Sequence, residues 1–299
     1  MLYRSILLID VGDNPDRPRP GRLWLRNIYH VHQRLSMAFP APFKKRVDPH
    51  FLKPFRPEDF SPNKPGSIDP NQVHDQVHVR RGPEHGFLFR IDIHPPREIG
   101  IYPHRYPPRN PVIIVQSALE PDWDYAFHNA EYLLAAPPEI KPFYPQFENG
   151  QRLIFHLLAN PTRKIAKVGP DGQKAKQGRR VPVRDDNLNE WLIKRAEENG
   201  FSVETQGLIV QTGYVYFSKI YYESKNDKEE HKEHKARLRS ARYIGILKVT
   251  DADRLRQALI SGLGPGKAFG FGLLEVDCSA KGEICLKVKY ENSRPTYPS

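Results

Sequence analysis

The chain has 299 residues, a length that suits one large domain or two ordinary ones. Apolar residues make up 38% and charged residues 27%, so it reads as a soluble globular protein; the formal net charge of +11 favours a polyanionic partner, nucleic acid foremost, the plainer alternative being a merely basic protein. Two cysteines, Cys278 and Cys285, exclude a disulfide framework and a four-cysteine zinc site; no run reaches the roughly 18 apolar residues of a membrane span, and a cytoplasmic location with no membrane partner is expected.

In chain order, Leu2 to Val11 predicts a strand rich in aliphatic residues. Its apolar run Ile6 to Ile9 is too short for a signal peptide. Arg26 to Phe39 predicts a helix, because Ile28, Val31, Leu35 and Ala38 recur at three- and four-residue spacing; Pro40 and Pro42 stop it. Residues 40–85 are Pro-rich without sustained periodicity and read as an insertion. Phe87 to Ile93 alternates as a strand, a second Pro-rich loop covers 95–111, and Val112 to Ser117 is a third strand. A short helix at Trp123 to Leu134 and a strand at Gln151 to Leu158 complete a β-α-β-β-α-β order, the ferredoxin-like plan.

The second half repeats that order. A strand is predicted near Val181 to Val183, a helix at Leu188 to Asn199, strands at Gly207 to Gln211, Tyr214 to Tyr222 and Tyr243 to Val249, a helix at Asp251 to Ser261 and a closing strand at Phe271 to Val276. This count has one strand more than the plan needs. The expected fold is α+β, two tandem ferredoxin-like (RRM-like) domains with antiparallel sheets. They span 1–160, with a Pro-rich insertion at about 40–110, and 161–299, with a basic hairpin and a Gly-rich loop.

Three features bear on chemistry. Gly262 to Gly272 carries five glycines, which let backbone approach backbone, or N–H groups approach a phosphate, without Cβ clashes. It lacks the Walker spacing, and its plainer reading is a helix C-cap and turn. Second, Arg163, Lys164, Lys167, Lys174, Lys176, Arg179, Arg180 and Arg184 fall within 22 residues, opposed only by Asp171, with Gly169-Pro170-Asp171-Gly172 as a turn. A hairpin of this charge suits the phosphate edges of an A-form groove; the alternative is a solvated loop. The run 225–239 mixes both signs and reads as a solvated loop. Third, Tyr29 and His32 share one face of the first helix. An imidazole can pass a proton near neutral pH, and a phenol can hold a phosphate or orient a 2′-hydroxyl; partly exposed structural residues are the plainer reading. His74 and His78, and His231 and His234, have spacings that fit a metal but no supporting ligands, and no acidic cluster suggests a two-metal nuclease, so no metal or other cofactor is expected.

Four segments resemble the CasE family of CRISPR RNA-processing endoribonucleases of the type I-E system. Tyr29-His30-Val31-His32 looks like the family's Tyr-x-x-His, and Val112 to Ser117 running into Glu120-Pro121-Asp122-Trp123 is similar to its third strand. Leu158-Ala159-Asn160-Pro161 resembles its Arg-Ala-Asn-Pro, and Gly264-Pro265-Gly266-Lys267-Ala268 with Gly270 to Leu274 is close to its C-terminal signature. The resemblance implies tandem ferredoxin-like domains and metal-free cutting of precursor RNA on the 3′ side of a repeat hairpin. It implies as partners that hairpin RNA and the other subunits of the surveillance complex. His32 becomes the general acid or base and Tyr29 its partner at the scissile phosphate. Gly264, Gly266 and Lys267 would support helix and RNA. Where some members carry Arg and Lys after the histidine, this chain has Gln33 and Met37, and Leu158 replaces an Arg. Phosphate contacts are then expected from Arg26 or Arg34. The competing reading is a non-catalytic subunit that binds an RNA hairpin and keeps only the fold and the basic hairpin.

Overall fold

A computed structural model describes residues 1–12, 19–50, 86–92, 110–165, 179–225 and 228–278. The first half contains β1 (Leu2–Leu8), α1 (Pro20–Leu25), α2 (Ile28–Ser36), α3 (Pro42–Val47), β2 (Phe87–Asp92), β3 (Val112–Ser117), α4 (Trp123–Phe127) and β4 (Glu139–Phe143). Its sheet has the order β2-β3-β1-β4 with every neighbour antiparallel. Alternation along the strands sends Leu7, Ile9, Phe89, Ile113 and Val115 to one face, where they pack with Val31 and Leu35 of α2 and with Trp123 and Phe127 of α4.

The second half contains β5 (Arg152–Ala159), β6 (Thr162–Ile165), β7 (Arg179–Pro182), α5 (Leu188–Glu198), β8 (Phe201–Lys225), β9 (Lys228–Val249), α6 (Ala252–Ser261) and β10 (Leu274–Cys278). Its four-stranded sheet has the order β10-β5-β9-β8, again antiparallel. Leu153, Phe155 and Leu157 face Leu192, Leu255 and Leu259 of the two helices. Each half is therefore a β-α-β-β-α-β sandwich with the two central strands in the same arrangement, and the tandem ferredoxin-like architecture holds.

Several elements differ from the sequence reading. The strand expected to close the first half at 151–158 is a central strand of the second sheet, and the first sheet is closed by Glu139–Phe143. That edge strand holds Pro142, which an edge tolerates because one side of the ladder needs no donor. The strand near 181–183 belongs to the separate β6-β7 hairpin. The two strands expected at 207–222 are one strand, shifted in register between Glu204 and Ile209, which removes the surplus strand. The run 225–239, read as a loop, lies largely in β9, paired residue for residue with β8 as far as Lys225↔Lys228. A short helix, α3, forms within 40–85, with Pro42 in its first turn. The helix at 123–134 is α4 followed by a 3-10 turn at Glu131–Leu133.

The helix-free faces of the two sheets pack on each other. Leu8, Leu88, Val112 and Ile114 of the first meet Leu273 of the second. Beside this apolar patch lies a buried ionic network. Arg90, fully buried on β2, donates to Asp92 at 2.8 Å and, across the interface, to Glu275 at 2.6 Å. Arg242 donates to Asp92 at 2.9 Å and to His156 Nε2 at 2.6 Å. Burial alone would raise the Asp92 carboxyl, but Arg90 and Arg242 beside it hold it well below the usual carboxylate range. Burial and the neighbouring Arg90 push the His156 imidazole down to about 2. Removing one member of such a pair strands a charge away from water at a cost of about 3–5 kcal/mol, so the network fixes how the two halves sit together.

Candidate active site

Helix α2 carries the site. Ile28, Val31 and Leu35 are buried against the first core, and Tyr29 and His32 sit half-buried on the neighbouring face, one turn apart. The His32 ring stacks on Phe87 of β2 at 5.7 Å between centroids and lies 6.1 Å from Phe89. Phe87 in turn stacks on Phe39 at 5.1 Å. An aromatic wall thus sets the plane of the imidazole before any ligand arrives.

The helix expected over Arg26 to Phe39 runs from Ile28 to Ser36. Helix α1 ends at Leu25, Asn27 is extended, and its side-chain oxygen accepts from the Tyr29 N–H at 3.1 Å as the N-cap of α2. The Asn27 amide donates to the Ser218 carbonyl on β8 at 3.0 Å and approaches His30 Nε2 at 3.2 Å. The start of the helix is therefore pinned to the long ribbon of the second half. With the amide donating, the His30 ring nitrogen accepts, and partial burial moves that imidazole below its ordinary value. Sequence reasoning misses Asn27; its signal is an Asn immediately before an apolar-periodic run.

The Gly-rich loop supports the same helix. A 3-10 turn at Lys267–Phe269 packs on α2, and Phe269 meets Phe217 of β8 at 4.5 Å. Lys267 is half-buried, and burial lowers its ammonium from the ordinary lysine value. Gly272 has φ +87°, and a Cβ there would stand 2.7 Å from the Leu263 carbonyl oxygen, so backbone lies against backbone. A Cβ at Gly264 or Gly266 would press on the rings of Trp191 or Phe271. These contacts match the close-packing reading of the glycines.

The other expected contacts divide. Arg26 is exposed and directly precedes the cap residue Asn27. Arg34 is not brought to the Tyr29–His32 face. Two residues beyond His32, it lies about 200° around the helix and donates to the Ala126 carbonyl at 2.9 Å, holding α2 to α4. Burial lowers its guanidinium from the ordinary arginine value. The base of the basic hairpin is present: Thr162 pairs with Pro182, Arg163 with Val181 and Lys164 with Arg180, and Arg163, Lys164 and Arg180 are exposed. Arg179 lies in β7; Lys167, Lys174 and Lys176, like His74 and His78, fall outside the described residues. No helix among the described residues is long and apolar enough to cross a membrane.

A family model described as CRISPR associated protein matches residues 3–277. Over 169 residues the chain is 36% identical to the CRISPR-associated endoribonuclease Cse3 of Thermus thermophilus, an alignment covering 56% of this chain and 72% of the relative. The chain belongs to the CasE family of CRISPR-associated proteins. Two solved structures are similar to this CasE-family chain. Thermus thermophilus Cse3 bound to an RNA representing a pre-cleavage complex has a TM-score of 0.53 at 26% identity, covering 92% of this chain and 98% of that one. Cse3 bound to a 19 nt RNA has a TM-score of 0.55 at 24% identity with the same coverage, a likeness of fold.

Proposed function

We propose that this chain is a metal-independent endoribonuclease of the cytoplasm that cuts CRISPR precursor RNA at the 3′ base of the repeat hairpin. It then stays on the mature guide RNA among the other subunits of a type I-E surveillance complex. The observation that carries the reading is the pairing of Tyr29 and His32 on one turn of a helix capped by Asn27 and backed by Phe87. The Cse3 relative is an endoribonuclease, and the structure of Cse3 with an RNA representing a pre-cleavage complex likewise supports the cutting of RNA.

In the proposed reaction the 2′-hydroxyl next to the scissile phosphate attacks phosphorus in line. The O2′–P bond forms, the P–O5′ bond breaks, and the 2′ proton is removed while the leaving O5′ receives one. His32 carries one of these proton transfers, and the Tyr29 hydroxyl holds the phosphate or the attacking hydroxyl in line. The products are a 2′,3′-cyclic phosphate and a 5′-hydroxyl. Lys267 and Arg26 supply positive charge beside the helix, and the β6-β7 hairpin grips the stem. Lys164 and Arg180 stand directly opposite on that hairpin, a like-charge pair that a phosphate would relieve.

The test is cleavage of a repeat hairpin in excess chelator with analysis of the ends. Cutting that persists and leaves a cyclic phosphate supports the reading. Loss of cutting in chelator overturns metal independence, and a 3′-hydroxyl product overturns the 2′-hydroxyl attack.

A further inference from the structure

Between the α1–α2 segment and the β8–β9 ribbon lie two adjoining cavities, of about 460 and about 390 Å³. Arg26 and Tyr216 line both. The larger is walled by Ile28, Leu158 and Phe269 with Arg22 among its lining residues; the smaller adds Lys235 and Arg237. Among the described residues that line either cavity, none is acidic.

The rim is aromatic. Tyr214 and Tyr216 share one face of β8 and are 50% and 60% exposed, while Val215 and Phe217 between and beyond them pack on the first core. The two phenol rings are 6.5 Å apart, and Arg237, paired directly across the ribbon from Tyr216, sets its guanidinium 4.8 Å from the Tyr214 ring centre. Exposed rings beside cations, with no carboxylate among the described lining residues, suit a single strand of nucleic acid: a ring can stack on an unpaired base while the guanidiniums take the backbone. A duplex stem keeps its base faces inside and offers these rings nothing to stack on.

We propose that this cleft binds the unpaired RNA that continues from the hairpin stem past the site of cutting. A base stacks on Tyr214 or Tyr216, and backbone phosphates lie at Arg26 and Arg237. Asn27, the cap of the helix that carries Tyr29 and His32, also lines the smaller cavity, so the cleft abuts the start of that helix. The identity of the RNA rests on the endoribonuclease reading above; the preference for an unpaired strand does not.

The experiment is fluorescence anisotropy of the full chain with a labelled ten-nucleotide uridine oligomer, which has no stem. The wild-type chain should bind it. Replacing both rings (Tyr214→Ala with Tyr216→Ala) should weaken binding about tenfold, whereas Tyr216→Trp, which keeps an aromatic face, should not. Crosslinking of a 4-thiouridine oligomer to the wild-type chain should label the segment around Tyr214–Phe217 or Arg26, a readout that does not depend on a variant folding. No binding by the wild-type chain, equal affinity in the double variant, or label confined to other segments overturns the proposal. A chain that binds the oligomer through these tyrosines yet neither binds nor cuts a blunt hairpin would retain this inference and lose the endoribonuclease reading.

Discussion

Asn27 and Ser218, 191 positions apart in sequence, are joined by a 3.0 Å hydrogen bond from the Asn27 amide to the Ser218 carbonyl. The same Asn27 side chain caps the helix that carries Tyr29 and His32. The helix that carries Tyr29 and His32 is thereby aligned by the ribbon of the second half. Asn27→Ala should destabilise the chain by about 1 kcal/mol through the lost cap and slow cleavage about tenfold as the helix start loosens. Asn27→Asp keeps the acceptor for the Tyr29 N–H but cannot donate to Ser218, so it should recover the stability while the rate stays low. Urea unfolding and single-turnover cleavage of the two variants check this; an unchanged rate in both would sever the link between ribbon and site.

The buried network between the sheets makes stability depend on pH in a definite direction. His156 is held neutral in the folded chain, pushed down to about 2 by burial and by Arg90, whereas in the unfolded chain it titrates near its ordinary 6.5. The unfolded state therefore binds the extra proton in between. Stability should be full above about pH 6.5 and fall as the pH drops below it, by up to about 1.4 kcal/mol per pH unit. The Asp92 carboxyl, also shifted down, adds its own loss only below about pH 4. Unfolding midpoints measured between pH 7 and pH 5 should fall less in His156→Gln, which keeps an acceptor for Arg242, than in the wild-type chain. Parallel profiles would remove His156 from the account.

The hairpin base carries a prediction about salt. Lys164→Gln with Arg180→Gln should weaken binding of repeat hairpins of different sequence by similar factors. It should also reduce the slope of log affinity against log salt by about one for each phosphate that the two side chains no longer neutralise. Titrations at several salt concentrations measure it. A weakening confined to one stem sequence would indicate that the hairpin reads bases instead of backbone.

Much of the architecture was legible because it is written in apolar spacing. Ile28, Val31 and Leu35 marked the face of α2, and the alternation of Phe87, Phe89 and Ile91 marked β2. What escaped was structure whose cause lies elsewhere in the chain. Residues 228–235 have no apolar alternation, and they form a strand because the backbone of β8 pairs with them. Glu139–Phe143 is short and holds Pro142, so it carries no strand signal, while the more apolar Arg152–Ala159 does, and its alternation does not say which sheet it joins. In the site, Tyr29 and His32 were visible as residue types one turn apart, and the family motif sharpened them. The Asn27 clamp, the stacking of His32 on Phe87 and the turning of Arg34 towards Ala126 depend on tertiary neighbours that no local pattern reveals.

The central claim is that the His32 imidazole moves a proton at the bond being broken. Single-turnover cleavage of a matched repeat hairpin by His32→Ala, measured beside its equilibrium affinity for the same RNA, tests it most directly. The account predicts a loss of at least about a hundredfold in rate with affinity within about twofold of the wild-type chain. Cutting at the wild-type rate would contradict it.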